Sequence, residues 1–413
     1  IGFVTACVYY SIIFNRTTVP QPQVEPIINV KLFMTVVPCC LGLVAAASIL
    51  FLICTLNYTK ETIYASLAFV LSLLTFGLIS SIYKANIAGS VVGAVMLLLF
   101  VAYFFAIRKR IPFTVSLVKS TRHVIGERRG IFLVVLGGVV CTLAYSSAIG
   151  WLVRVVTEIP IKHNTAIPLY VFLAFISYWT MNLILSLCHT IVSGVFATYY
   201  LVDKLGIRTS TPVLDSTRRT IWYSFGSVAF GSLIVAFIQT IRMLLNSARQ
   251  RNDGRRESVG SALGSMLALF ADCLLSILER VVRVFNYYAY IMISITGKSF
   301  ITSAKVALKL FKERGMTVLI NDNIISQVIL LGIVLSNGFA QLVTFLCFGM
   351  WKFDEEFLIA YTVFTIVVGL VLSSFLLSPL QSGTCTALVC YSIEPDCLTS
   401  NESHCQMKTV IDA

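Results

Sequence analysis

The residues best suited to chemistry in this sequence are aromatic and amide side chains inside long apolar segments. Such side chains hold a quaternary ammonium ion without a carboxylate, because each aromatic face attracts a cation by about 0.5–2 kcal/mol. The candidate binding residues form two short groups and one separate amide: Tyr178, Trp179 and Asn182; Asn286, Tyr287, Tyr288 and Tyr290; and Gln239. The alternative interpretation is an interfacial belt, which Tyr and Trp form at both faces of a bilayer.

The other polar residues form few patterns that are typical of enzyme active sites. The four His residues form neither an HExxH nor an HxxxxD pattern, and no GxSxG elbow, Walker loop or GxGxxG turn occurs. A membrane-embedded hydrolase needs clustered ionisable groups within its spans, and Asp272 is nearly the only acid at that depth. Cys188 and His189 are adjacent without a third partner, which favours a packed pair. We therefore predict no enzymatic activity, no catalytic residue, no metal and no cofactor.

A polar stripe occupies the segment 258–286. Its members recur every seven residues and so share one helix face: Ser258, Ser265, Asp272, Glu279 and Asn286. Glu279 and Arg283 are also spaced for an i,i+4 ion pair. Two interpretations stay open, an amphipathic helix on the membrane surface and a span whose polar stripe faces a water-filled pathway. Gly297 is a candidate helix break, and 300–314 is predicted as a membrane-surface helix.

Membrane-spanning helices must position these residues. Hydrophobic residues make up 57% of the 413 residues and charged residues 12%, the latter about half the share in a soluble domain. A helix crosses a bilayer with about 20 apolar residues, and we count ten such segments: 1–14, 33–56, 62–83, 87–107, 131–152, 168–198, 221–243, 262–297, 326–350 and 357–378. We predict an all-α polytopic membrane protein with cytoplasmic amphipathic helices. Because the chain begins with Ile inside an apolar run, we expect its native start to lie upstream.

The net charge of +12 reflects cytoplasmic loops, in which Lys and Arg accumulate and favour anionic lipid, and we expect no nucleic-acid partner. Segments 108–130, 202–220 and 298–314 hold seven, four and five basic residues, and the connections expected outside are poorer in them. This alternation places both termini in the cytoplasm. Segment 242–257 disagrees, because it carries five Arg residues although parity places it outside.

Three long blocks resemble the choline transporter-like solute carriers (solute carrier family 44). The run FNYYAYIMISITGKSFITSAK within 285–315 is similar to the most characteristic segment of that family. Matching positions there are Tyr290, Ile291, Met292, Ile293, Gly297, Lys298, Phe300, Ser303, Ala304 and Lys305. The blocks 179–200 and 224–245 resemble two further family segments, and the short connection 15–31 looks like the fungal and protist branch.

The resemblance implies a transporter for choline or a related amine such as ethanolamine, in the plasma membrane, working by facilitated or ion-coupled transport. Trp179, Tyr178 and Tyr288 would face the cation, Asn182 and Asn286 would orient it, and Gly297 would permit a gate. We expect one transmembrane transporter domain over 1–378 and a cytoplasmic tail over 379–413. A lipid-handling or channel-like protein and a non-transporting scaffold of the same fold are the alternatives.

Overall fold

The computed structural model describes residues 30–84, 87–158, 163–202, 210–253, 259–348 and 355–393. Within these ranges every regular element is a helix, which confirms the all-α prediction. The helices are α1 Val30–Asn57, α2 Thr59–Tyr83, α3 Ile87–Ile107, α4 Ile111–Glu127, α5 Ile131–Glu158, α6 His163–Leu201, α7 Pro212–Arg218, α8 Phe225–Asp253, α9 Val259–Thr296, α10 Phe300–Phe348 and α11 Glu355–Ile393. A π-helical turn, Arg219–Ser224, joins α7 to α8.

The described part of the chain contains eight helices long and apolar enough to cross a membrane. They coincide with eight of the predicted spans, and the predicted span at 262–297 corresponds to α9. The segment 1–14 lies outside the described residues. Large apolar side chains such as Phe76, Leu98 and Leu133 are at least 70% exposed. These exposed apolar side chains are compatible with contact with lipid. Helices suit that environment because they satisfy their backbone hydrogen bonds internally.

Three segment boundaries differ from the sequence-based expectations. A helix is present at 300–314 as predicted, but it does not end at 314, because α10 continues unbroken from Phe300 to Phe348 and contains no Pro that would remove a backbone donor. Its location at the membrane surface remains a prediction. Most of the basic segment 108–130 is the helix α4, with Pro112 in its first turn, where the missing donor costs nothing. The last span does not end at 378, because α11 runs through Pro379 to Ile393.

The described residues divide into two compact units. Unit 1 comprises Leu136–Gly194 and Leu214–Lys309, and unit 2 comprises the described parts of Ile28–Val135, Val195–Val213 and Leu310–Ala413. In unit 1, α8 packs along α9, and in unit 2, α11 packs against α1 and α4. Residues 380–391 of α11 are almost all buried, so the start of the predicted tail lies inside unit 2. All the candidate binding residues lie in unit 1.

Candidate functional site

Two of the predicted binding residues, Asn182 and Gln239, are in direct contact. The Nδ2 of Asn182 on α6 donates to the Oε1 of Gln239 on α8 over 2.8 Å. The same Nδ2 donates to the carbonyl oxygen of Tyr178, one turn earlier, over 2.7 Å. Asn182 and Gln239 are buried, with 6% and 7% of their surfaces exposed. A buried amide pair therefore connects the two helices inside unit 1.

Glu279 extends this amide pair to α9. The Nε2 of Gln239 donates to Glu279 Oε1 over 3.0 Å, so Asn182, Gln239 and Glu279 form one continuous chain across three helices. Glu279 also accepts from Arg283 NH2 over 2.6 Å, which confirms the predicted i,i+4 pair. The side chain of Glu279 is only 12% exposed. A carboxylate at that depth needs charged donors to offset its lost hydration.

Arg242 supplies the second charged donor. Its NH1 lies 2.7 Å from Glu279 Oε2 and its Nε lies 3.0 Å from Asp272 Oδ1. Arg242, Asp272, Glu279 and Arg283 thus contain two positive and two negative groups, and the cluster is formally neutral. Arg242 was one of the five Arg residues that conflicted with the predicted sidedness of 242–257. Because it forms a helix–helix ion pair, it belongs to the packing of α8 on α9 rather than to a loop.

The polar stripe of α9 faces α8. Asp272 and Glu279 reach Arg242, and the Nδ2 of Asn286 donates to the carbonyl oxygen of Gly231 over 2.8 Å. Ser258 and Ser265 lie outside the residues whose side chains are described. The seven-residue spacing therefore marks the face along which two helices pack, with polar contacts at three positions that are about two turns apart.

Tyr178 and Trp179 precede Asn182 by about one turn of α6. Trp179 Nε1 donates to the carbonyl oxygen of Ala229 on α8 over 3.1 Å. Tyr178 is buried in a cluster with Ala174 and Ala236, and the ring of Trp179 packs against that cluster. The indole is partly buried, whereas Tyr178 is only 6% exposed. Two of the predicted cation-facing rings thus pack together, on residues that precede Asn182 by about one turn of α6.

The tyrosines of α9 form a separate aromatic group. Tyr287 stacks on His189 of α6 with ring centroids 3.5 Å apart, and Tyr290 meets the edge of the same His ring at 6.5 Å. His189 Nε2 is 3.0 Å from the carbonyl oxygen of Tyr287. Tyr288 is completely buried. His189 was interpreted only as half of a packed pair with Cys188, and its stacking partner lies 98 residues away.

Gly297 forms the predicted helix break. It has a φ of 66°, and the helix axes on its two sides, Ala271–Thr296 and Phe300–Lys309, are bent by 112°. Only Gly adopts such a φ without a steric penalty from a Cβ. The bend returns Phe300 to the aromatic group, where its ring centroid lies 6.2 Å from that of Tyr290. A gating role for this break remains a prediction.

Three residues of the site were not among the candidate binding residues predicted from the sequence: Glu279, Arg242 and His189. The seven-residue stripe already contained Glu279, and Arg242 follows Gln239 by three residues, so both carried a positional signal. A single His in an apolar span carries none. The site therefore contains hydrogen-bonded amides, aromatic rings, and a formally neutral cluster of two Arg and two acidic side chains. These are groups that can replace the hydration of a small organic cation.

Comparison with known proteins assigns most of the chain. Residues 91–396 match the family described as "Plasma-membrane choline transporter". The chain is 30% identical over 256 residues to Protein PNS1 of Mycosarcoma maydis, covering 59% of this chain and 47% of that protein. It is 29% identical over 319 residues to Protein PNS1 of Gibberella zeae, covering 72% and 57%.

A CTL-like protein of Dictyostelium discoideum is 29% identical over 315 residues, which cover 75% of this chain and 54% of that protein. The chain therefore spans about half the length of the curated relatives it matches. Fungi and a protist supply all three relatives, in agreement with the branch expected from the short connection 15–31.

Proposed function

The chain belongs to the plasma-membrane choline transporter family, and from that premise we propose that it carries choline or ethanolamine across a membrane. Membership of this family makes the chain a multi-pass membrane protein of a transporter family rather than of an enzyme family. The substrate, the plasma membrane as its location, and facilitated or ion-coupled movement are parts of the proposal. Binding of anionic lipid by the basic segment 108–130 is also part of the proposal.

The hydrogen-bonded chain from Asn182 through Gln239 to Glu279 supports this substrate class, together with Tyr178 and Trp179 about one turn before Asn182 on α6. Choline has a permanent charge and cannot lose a proton to ease its passage. A protein site must therefore replace its water with aromatic faces and amide oxygens. Both kinds of group occur within one turn of α6, at residues 178, 179 and 182. A negative membrane interior also favours inward movement of a cation, by about 2.3 kcal/mol per 100 mV.

Uptake of radiolabelled choline and ethanolamine into proteoliposomes tests the proposal. We expect saturable uptake by the wild type, and its loss in Asn182→Ala without loss of folded protein. Asn323→Ala is a matched control, because Asn323 is an exposed amide of unit 2 that donates to Tyr103. Absence of saturable amine uptake by the wild type would overturn the proposal. A parallel assay with fluorescent phospholipid would then show whether the fold handles lipid instead.

A further inference from the structure

We propose that Glu279 fixes the direction of the hydrogen bonds through Gln239 to Asn182, so that Asn182 presents its carbonyl oxygen to the ligand. This arrangement favours a primary ammonium ligand, which carries N–H donors, over its quaternary trimethyl counterpart. The proposal rests on the proposed function, since it concerns the choice between two amines at the same site. Glu279 acts here as a positioning residue and Asn182 as the residue that contacts the ligand.

Glu279 determines the direction of the hydrogen bond that it shares with Gln239. An ionised carboxylate has no donor and accepts only. Arg242 and Arg283 hold Glu279 ionised, at 2.7 and 2.6 Å. The only group of Gln239 that can bond to this carboxylate is therefore its NH2, and the observed contact is Nε2 to Oε1 over 3.0 Å. The negative charge of Glu279 therefore determines which end of the Gln239 amide faces it.

The amide of Asn182 is oriented by two acceptors, Oε1 of Gln239 and the carbonyl oxygen of Tyr178. With its NH2 on Glu279, Gln239 presents its Oε1 to α6, and this oxygen accepts from Asn182 Nδ2 over 2.8 Å. The other hydrogen of Nδ2 serves the carbonyl oxygen of Tyr178 over 2.7 Å. Both donors of Asn182 are then used. Its Oδ1 is left as an acceptor in a residue that is 6% exposed and that follows Tyr178 and Trp179 by about one turn of α6.

In the proposed site this amide oxygen accepts a hydrogen bond from a donor on the ligand. A primary ammonium brings three N–H groups to that oxygen, whereas a trimethylammonium brings none and interacts chiefly with the rings. A site that bonds to a ligand N–H discriminates strongly against the analogue that lacks it. We expect ethanolamine to bind about tenfold more tightly than choline, which corresponds to one net hydrogen bond.

The test measures binding of ethanolamine and choline by calorimetry, with the full chain purified into lipid nanodiscs. Glu279→Gln can present either end of its amide, so the direction of the chain is no longer fixed. We expect the ethanolamine-to-choline preference to fall from about tenfold to about twofold or less. Glu279→Asp keeps a group that only accepts, and should restore most of the preference.

Two further variants distinguish the effect of the hydrogen-bond chain from Glu279 through Gln239 to Asn182, here called the relay, from the effect of the ion pairs of Arg242. Asp272→Asn removes the other carboxylate that holds Arg242 but does not contact Gln239, so it should leave the preference unchanged. Gln239→Met cuts the relay without changing any charge, and should abolish the preference as Glu279→Gln does. An unchanged preference in Gln239→Met, or an equal loss in Asp272→Asn, would overturn the relay. If neither amine binds to the wild type, the proposed function itself fails.

Discussion

Gly231 of α8 lies directly beneath Tyr290 of α9. A Cβ at position 231 would meet the tyrosine oxygen and a ring carbon of Phe300, each at 2.6 Å. Both residues are buried, with 4% and 7% of their surfaces exposed, so an added Cβ would have to displace buried aromatic atoms. The carbonyl oxygen of the same glycine accepts from Asn286. The close approach of α8 and α9 therefore depends on the missing side chain at one position.

Gly231→Ala should lower the stability of the protein by about 1–3 kcal/mol, the usual cost of overpacking a tight interior. The measurement is thermal unfolding in detergent, with Gly226→Ala as the control. Gly226 is also in α8, and nothing lies within 4 Å of the position that its Cβ would occupy. Equal melting temperatures for the two variants would show that the rings adapt without cost.

Gly297→Ala tests the break between α9 and α10. There is open space around Gly297, so the expected penalty comes from the backbone alone. A non-glycine residue with a φ of 66° is disfavoured by about 1–2 kcal/mol. We expect lower stability in Gly297→Ala and the opposite or no change in Gly226→Ala, because Ala is favoured over Gly within a helix. If Gly297→Ala were as stable as the wild type, the positive φ would not be needed.

Arg242 provides a test of the ion pairs on α8 and α9. Arg242→Met leaves Asp272 and Glu279 without this shared donor, and should reduce stability by about 1–3 kcal/mol. Solvent screening moderates the effect, because the Arg242 and Asp272 side chains are 30% and 27% exposed. Arg242→Lys should recover only part of the loss, because a point charge does not reproduce a planar fork that reaches two carboxylates. Full recovery by Lys in unfolding measurements would contradict the bridging role.

The predictions that succeeded used local patterns. Apolar length located eight spans, and spacing along a single helix placed Glu279 beside Arg283. The contacts that define the site join residues far apart in the chain, such as Gln239 and Glu279 or Trp179 and Ala229, which are separated by 40 and 50 residues. Helix packing decides which of these faces meet, and periodicity alone does not specify the partner helix.

The helix predicted at 300–314 extends further than expected, to Phe348. Its Lys residues lie on one face with apolar residues on the other, a pattern that is typical of a short helix on a membrane surface. A helix, however, continues through charged residues at little cost when no Pro interrupts it. Conversely, the break at Gly297 was predictable, because a single Gly between two strongly helical segments is a local signal.

The sidedness of α4 remains a prediction that labelling can test. Ser120 hydrogen-bonds to Tyr200 over 2.9 Å, so the neighbouring exposed Lys119 is the better position for a probe. In a background without reactive cysteines, Lys119→Cys should react with an impermeant maleimide only after permeabilisation. Lys84→Cys, exposed after α2, should react in intact cells. Labelling of position 119 in intact cells would reverse the proposed orientation.

Trp179 separates a binding role from a belt or packing role. If its ring face holds the cation, Trp179→Leu should reduce choline affinity about five- to thirtyfold, the equivalent of about 1–2 kcal/mol. Trp179→Phe should reduce it less, because a weaker but still aromatic face remains. Both variants lose the hydrogen bond to Ala229, so a purely structural role would make them alike. The measurement is choline-dependent thermal stabilisation of each purified variant.

Trp222 supplies the control for this comparison. It lies in the π-helical turn before α8 and is 78% exposed, as expected of a belt residue at a membrane interface. Trp222→Leu should leave the choline-induced shift unchanged, whatever it does to the basal melting temperature. Equal ligand-induced shifts in the wild type and Trp179→Leu would assign Trp179 to packing. The cation would then have to be held by the remaining aromatic group around Tyr287 and Tyr290.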